Sequence, residues 1–301
     1  MIRASAPAKV NLVFQVGKLQ SDGYHPVNSL YLELDLREEL SLTKGQAGSG
    51  VQIFVRGENL PARHINSVPR DNTNLVYKVA EAMFARAEVV LEDLEIDILK
   101  RIPVAGGMAG GSADAAAMVI ACNEYLHLYH QIPRLAKAEM IELAAEFGSD
   151  VPFSVLGGSA VGTDRGQKLS ALDPLGFETH WVIAISNEGL PTPAVYDRFD
   201  ELAGGTSFTE LGQPIGSIAE LAELMVNDLE EAATYLLPAI SQTKAQLVEL
   251  GALKAMVSGS GPTVIGLFAS RDSADQAAQE LSSAGVTCFI ASASYGGTRL
   301  L

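Results

Sequence analysis

The chain has 301 residues, 21 of them Lys or Arg and 36 Asp or Glu, for a formal net charge of −15. Hydrophobic residues make up 48% and charged ones 19%, enough apolar material for a sizeable core, which excludes intrinsic disorder. So acidic a chain repels nucleic acid and anionic lipid, so neither is an expected partner, and any phosphate it binds must be held by local geometry.

The length suits one large domain or two ordinary ones. Cys122 and Cys288 lie far apart in apolar runs and form no metal-ligand spacing, so buried, reduced thiols are expected. No apolar run of about 18 residues is present, and the first residues lack a charged segment followed by an apolar one. The expected location is the cytoplasm. The sequence does not fix the oligomeric state.

In chain order, Val10, Leu12, Phe14 and Val16 alternate with Lys9, Asn11 and Gln15, which predicts a half-buried strand with a lysine and an asparagine on its second face. Ser21-Asp22-Gly23 is a turn signal before Tyr24 and His25, and strands are expected over 30–43 and 51–56. Leu75, Val79, Met83 and Ala87 have helical spacing, with Asn74 as N-cap, and a strand follows from Leu94 to near Pro103. Residues 114–129 read as an amphipathic helix with Val119, Cys122, Leu126 and Tyr129 on one side. A second helix over 135–147 is expected to stop at Gly148. Another apolar strand is expected after Ser149-Asp150-Val151-Pro152. Beyond about 160 come strands at 181–186, 264–269 and 286–292 and helices at 218–236, 239–250 and 273–284, typical of an α+β module. The pattern predicts two closely packed α+β domains, 1–160 and 161–301.

The most informative segment is the glycine loop Gly106-Gly107-Met108-Ala109-Gly110-Gly111, set between a strand and a helix that Ser112 is expected to cap. Missing side chains let backbone N–H groups approach an anion, and the helix start adds unpaired donors and a positive dipole end. Such a loop needs no net positive charge. It lacks the Lys-Ser/Thr of a P-loop, and Met108 stands where a dinucleotide fingerprint needs glycine. Glycines in such a place also suit a packing turn. Asp150 and Lys9, each taken alone, read as surface or capping residues. Val257-Ser258-Gly259-Ser260-Gly261-Pro262-Thr263 reads as a hairpin turn, and Pro191-Thr192-Pro193 as a rigid loop. His127 and His130 have no third ligand near in sequence, and His64 and His180 stand apart.

Three separated segments resemble, in order and spacing, motifs one, two and three of the GHMP kinases. They are Pro7-Ala8-Lys9-Val10-Asn11-Leu12, Pro103 through Ala116 (PVAGGMAGGSADAA), and Ser258-Gly259-Ser260-Gly261-Pro262. Asp22-Gly23-Tyr24-His25, Gly148-Ser149-Asp150-Val151-Pro152-Phe153 and Pro191-Thr192-Pro193 resemble one branch of that superfamily. Its members phosphorylate the 2-hydroxyl of a cytidine-diphosphate-linked methylerythritol in non-mevalonate isoprenoid synthesis. The resemblance implies an α+β, two-domain fold, ribosomal-S5-like in the N-terminal domain and ferredoxin-like in the C-terminal one. It implies a small-molecule substrate, ATP as phosphoryl donor, and Mg²⁺ carried with the nucleotide.

Residue by residue, the resemblance makes Asp150 the catalytic base and Lys9 its partner, with Asn11 fixing substrate or Lys9. It gives the ATP phosphates to Pro103, Val104, Ala105, Gly106, Gly107, Met108, Ala109, Gly110, Gly111, Ser112 and Ala113, and places Lys100 and Asn74 near the nucleotide. Tyr24 and His25 match cytosine-recognising residues, and Thr192 and Tyr196 would close the substrate pocket. No metal ligand is assigned; Ser112 is a candidate. Met108, Ala109 and Ala113 depart from the common spelling GLGGGSSDAA, where Leu, Gly and Ser stand. A homoserine- or mevalonate-type kinase, or a non-catalytic binding relative, would have no use for Tyr24-His25 or for a retained Lys9 and Asp150 respectively.

Overall fold

The computed structural model describes residues 1–301 except Ala105, Ala203 and Thr206. Two long strands begin the chain, β1 (Ile2–Val16) and β2 (Val27–Lys44), paired antiparallel from Ile2 opposite Leu42 to Val16 opposite Val27. After β3 (Val51–Gly57) come α1 (Ala62–Asn66), α2 (Leu75–Arg86), β4 (Leu94–Lys100), α3 (Gly110–His130), α4 (Lys137–Ala144), α5 (Val151–Leu156), β5 (Ser159–Thr163) and β6 (Lys168–Leu172). The remainder is β7 (His180–Ile185), α6 (Thr192–Glu201), α7 (Ile218–Leu224), β8 (Val226–Asn227), α8 (Glu230–Leu236), α9 (Ala239–Glu249), β9 (Lys254–Val257), β10 (Val264–Phe268), α10 (Arg271–Ser283), β11 (Thr287–Ser292) and β12 (Arg299–Leu300).

Eight strands form one sheet, with the path β12-β1-β2-β4-β3, β5 and β6 added beside β2, and β8 beside β1. The other sheet has four antiparallel strands in the order β11-β7-β10-β9. Counted within itself that order is 4-1-3-2, the order of the βαββαβ ferredoxin-like unit. The change of sheet falls between Leu172 and His180, downstream of residue 160, because β5 and β6 continue the first sheet. The short strands β8 and β12 return to β1, at Val13–Phe14 and Ala4–Ser5, and sew the C-terminal half onto the N-terminal one.

β1 is buried on both faces, not on one: from Ala4 to Val16 every residue is enclosed. It lies inside its sheet, with α3 packed across it. Its register shifts at Pro7/Ala8 and Asn11/Val13 mark bulges, one of which accommodates a proline that cannot donate to the ladder. α3 is likewise buried nearly all round, with Ala113, Ala115, Ala116, Ala117 and Ala121 letting it lie close to the sheet. It is therefore a core helix and not an amphipathic one, exposed only at its two ends, at Gly111 and at Leu128 and Tyr129.

Other local expectations are corrected. Residues 151–156 are helical, because Pro152 suits a first helical turn, and the strand begins only at Ser159. The helix after α3 ends at Ala144, before Gly148. Residues 218–236 are broken into α7, β8 and α8, because Val226 and Asn227 pair with β1. Thr192 and Pro193 open helix α6, where a rigid loop was expected. Cys122 is buried and Cys288 half-buried, both free; burial pushes the thiol of Cys288 up to about 12. Among the described residues no helix is long and apolar enough to cross a membrane.

Candidate active site

Lys9 enters the interior because β1 is central. Its side chain is 5% exposed, and its ammonium lies 2.6 Å from Asn11 Oδ1, to which it donates, and 3.3 Å from Asp150 Oδ2. Asn11 is fixed in turn: its Nδ2 donates to Ser29 Oγ at 2.7 Å, and that hydroxyl donates to the Val13 carbonyl at 2.9 Å. With both ends of its amide engaged, Asn11 has its oxygen aimed at the ammonium. Asp150 stands at the N-cap position of α5, yet its side chain makes no cap bond and turns to Lys9. The ring of Tyr31 lies 5.5 Å beneath the same ammonium. Burial, and then the Asp150 charge, push the Tyr31 phenol well above its ordinary value, so it stays protonated.

These groups line a cleft of about 310 Å³, whose other walls include Gly107, Ala109 and Ser112 of the glycine loop, Thr192 and Tyr196 of α6, and Gly259–Gly261. The first helical bond of α3 runs from Ala113 N–H to the Ala109 carbonyl at 2.8 Å, leaving the N–H groups of Gly110, Gly111 and Ser112 without intrahelical acceptors. Ala109, and not Ser112, occupies the N-cap, at φ +61°. Ser112 lies in the first turn and on the cleft wall. The hairpin between β9 and β10 crosses the loop from the other side. A Cβ on Gly107, at φ +71°, would lie 1.9 Å from the Ser258 carbonyl oxygen, and Ser258 Oγ donates to the Gly107 carbonyl at 3.1 Å. Only glycine permits that approach. Thr192 Oγ1 and Ser260 Oγ share a bond of 2.8 Å across the mouth of the cleft.

No other described residue of the predicted loop is among those lining this cleft. Pro103, Met108, Gly110 and Ala113 are buried, and Ala105 lies outside the described residues. Val104 and Gly106 line a smaller neighbouring cleft of about 220 Å³ with His64 and Thr263. His64 Nε2 and Thr263 Oγ1 are buried without a protein partner. Gly111 is exposed, and a Cβ there would meet nothing within 4 Å.

Two residues expected near the nucleotide have their side chains engaged within the protein. Lys100 is buried beneath the loop, its ammonium 2.6 Å from Asp114 Oδ2, 2.7 Å from Glu38 Oε1 and 3.1 Å from the Gly110 carbonyl. All three of its donors are taken. Asn74 is indeed the N-cap of α2, accepting from Val76 N–H at 3.0 Å and donating to the Pro69 carbonyl at 2.6 Å, so its amide serves its own turn.

The predicted base readers divide. His25 is buried, its Nδ1 bonded to the Gly17 carbonyl at 2.8 Å, its ring 5.1 Å from that of Tyr196. Because a carbonyl only accepts, Nδ1 carries the proton, and Nε2 is turned towards Asp200 Oδ2 at 3.4 Å. Tyr24 is 52% exposed, with the Arg165 guanidinium 3.5 Å from its ring centre, and neither Tyr24 nor His25 is among the residues lining the cleft. Arg165, which also pairs with Asp22 at 3.0 Å, is a cationic wall of the cleft that the sequence reading missed. Nothing around residue 165 signals it, since only the β5–β6 turn carries it there. Asn227 was missed for the same reason; it bonds the carbonyls of Val257 and Gly259 at 2.8 and 2.7 Å and braces the second loop. His127 and His130 bond Ile132 and Glu92, and no cluster among the described residues could hold a metal ion through three or more His, Cys, Asp or Glu.

Comparison with known proteins matches residues 74–158 to the GHMP kinases N terminal domain and 207–287 to GHMP kinases C terminal. The 4-diphosphocytidyl-2-C-methyl-D-erythritol kinase of Rhodococcus jostii is 42% identical, over 98% of this chain and 94% of its own length. The protein of the same name from Nocardia farcinica is also 42% identical, over 96% and 92%. A crystal structure of 4-(cytidine 5'-diphospho)-2C-methyl-D-erythritol kinase superposes with a TM-score of 0.76 at 28% identity, over 98% of this chain and all of that one. A homoserine kinase from Cytophaga hutchinsonii, 18% identical, shares the fold at a TM-score of 0.70, over 100% of this chain and 97% of its own. The chain belongs to the GHMP kinases and, within them, to the family of 4-diphosphocytidyl-2-C-methyl-D-erythritol kinases.

Proposed function

We propose that this chain transfers the γ-phosphoryl group of ATP to the 2-hydroxyl of 4-diphosphocytidyl-2-C-methyl-D-erythritol, in non-mevalonate isoprenoid synthesis. The observation that carries the mechanism is the 3.3 Å pairing of Lys9 with Asp150 in a cleft walled by the glycine loop. The acceptor is an alcohol, whose proton must leave as the new O–P bond forms, and Asp150 takes it as general base. Lys9 holds that carboxylate in place and sets positive charge beside the phosphoryl group in transit. Asn11 and Ser29 fix Lys9, and the protonated phenol of Tyr31 closes the floor.

The free N–H groups of Gly110, Gly111 and Ser112 hold the ATP phosphates, which a chain of net charge −15 cannot attract by its overall field. The nucleoside end extends towards the smaller cleft, where His64 Nε2 and Thr263 Oγ1 await polar partners. Magnesium binds one or two protein oxygens plus phosphates and water. The Ser112 hydroxyl, on the cleft wall, fits as one such oxygen for an ion carried on the nucleotide. When bound, that ion neutralises phosphate charge. On the other side, His25 and Tyr196 receive the cytosine, Tyr24 adds a stacking ring, and Arg165 faces the diphosphate.

A coupled assay of ATP consumption with this alcohol, homoserine and mevalonate tests the reading. Turnover is expected with the cytidine substrate alone; turnover with homoserine or mevalonate instead, or with none, would overturn it.

A further inference from the structure

The ammonium of Lys100, 1% exposed, is the point at which three elements are fastened. β2 contributes Glu38 at 2.7 Å, and α3 contributes Asp114 at 2.6 Å and the Gly110 carbonyl at 3.1 Å. Glu38 also accepts the N–H groups of Arg101 at 2.8 Å and Ile102 at 3.2 Å. Ile102 stands ahead of the glycine loop and Gly110 lies at its helical end, where α3 begins, so both sides of the loop hang from one buried cluster.

We propose that Glu38, Lys100 and Asp114 set the spacing of the two ends of the glycine loop, making Lys100 a positioning residue for the nucleotide phosphates that acts through Gly110 without touching the nucleotide. This rests on reading the loop as the ATP phosphate site.

The charges of the cluster do not cancel. One ammonium faces two carboxylates, all almost wholly buried, and Asp114 Oδ1 has no partner. A surplus buried charge is costly, so the cluster holds together only while the ammonium bridges both carboxyls, and removing either partner leaves the others uncompensated. The Arg101 guanidinium cannot replace it, being turned away to Glu39 and Glu58.

The test is calorimetric titration of a non-hydrolysable ATP analogue and of inorganic tripolyphosphate into wild type, Lys100→Met and Asp114→Asn, with KM for ATP and for the alcohol measured alongside. Lys100→Met is expected to weaken both phosphate ligands by the same factor, ~10-fold or more, as misplaced binding groups do. KM for the alcohol should stay within ~2-fold, since that interaction is unchanged. Asp114→Asn, which removes one carboxylate from the ammonium, should weaken both phosphate ligands by a common factor and leave KM for the alcohol unchanged. Unchanged tripolyphosphate affinity in Lys100→Met would mean that Lys100 touches the nucleoside, and equal damage to both substrates would mean a purely structural role. Either result overturns the positioning role. Where Lys100→Met does not fold, Asp114→Asn still decides, because wild-type affinity for both phosphate ligands in that variant overturns the positioning role. Failure of wild type to bind either phosphate ligand would overturn the reading of the loop itself.

Discussion

The carboxylate of Asp150, carried at the start of α5, lies 3.3 Å from the ammonium of Lys9, carried in the middle of β1. Neither residue is distinctive in sequence. Together, enclosed and beside a helix N-terminus, they form a proton acceptor with an adjacent cation. Asp150→Asn keeps the shape of that group and removes its basicity. A fall in kcat of ~10²–10⁴-fold with little change in KM is expected, as for loss of a general base. Steady-state kinetics check this, and kcat within about threefold of wild type would exclude Asp150 as the base.

Gly107 and Gly111 separate two uses of glycine. Gly107→Ala puts a Cβ 1.9 Å from the Ser258 carbonyl, at a positive φ, so it should lower the melting temperature and ATP affinity together. Gly111→Ala meets no atom within 4 Å and replaces glycine in a helix by the best helix former, so the fold should be at least as stable. If phosphates lie against that turn, its methyl group should still weaken ATP binding. Calorimetry beside thermal melting distinguishes the two, and an unchanged ATP affinity in Gly111→Ala would remove the phosphates from this turn.

Ala109 holds a left-handed conformation, φ +61° and ψ +31°, which costs an L-residue roughly 1–2 kcal/mol. Glycine would relieve most of that and lose about 0.4–1 kcal/mol through its freer unfolded chain. Ala109→Gly is therefore expected to raise stability by up to about 1 kcal/mol, read from denaturant unfolding. A clear loss of stability would show that the alanine methyl contributes packing that outweighs the strain.

His25 is held at Nδ1 by the Gly17 carbonyl, with its Nε2 3.4 Å from Asp200 Oδ2 and its ring 5.1 Å from that of Tyr196. Cytosine and uracil differ in donor and acceptor at two ring positions, and each unpaired buried group costs about 1–3 kcal/mol. His25→Ala should lower kcat/KM for the cytidine substrate and narrow its advantage over the uridine analogue, while ATP affinity hardly moves. An unaltered cytidine-to-uridine ratio would move base reading elsewhere.

Stability should fall with alkalinity through the Glu38 cluster. The Glu38 carboxyl, raised by burial from its usual 4.5 to about 8, keeps in the folded protein a proton that the unfolded chain has released. Its contribution is complete below about pH 4.5 and is lost as pH rises to about 8, because the folded state binds the extra proton between those values. The melting temperature should drop across that range, and less steeply in Asp114→Asn, where the neighbouring negative charge is gone. Equal slopes would dissociate the two carboxyls.

What the sequence determined by itself was local or periodic. Alternation located β1, helical spacing and Asn74 located α2, and a run of glycines between a strand and a helix located the loop whose first helical turn carries free donors. The same arguments misread the residues after Pro152 as extended, since a short, mostly apolar run fits either element, and ran α7 and α8 together, since no local signal reports that Asn227 pairs with β1. Tertiary structure alone decided that Lys100 lies under the loop, that Gly107 meets Ser258, and that Arg165 reaches the cleft. Each depends on which side chain a buried strand or a crossing hairpin turns towards a partner far away in sequence. A charge in the interior goes where another charge or carbonyl compensates its lost water, and that partner is fixed only once the sheets have closed.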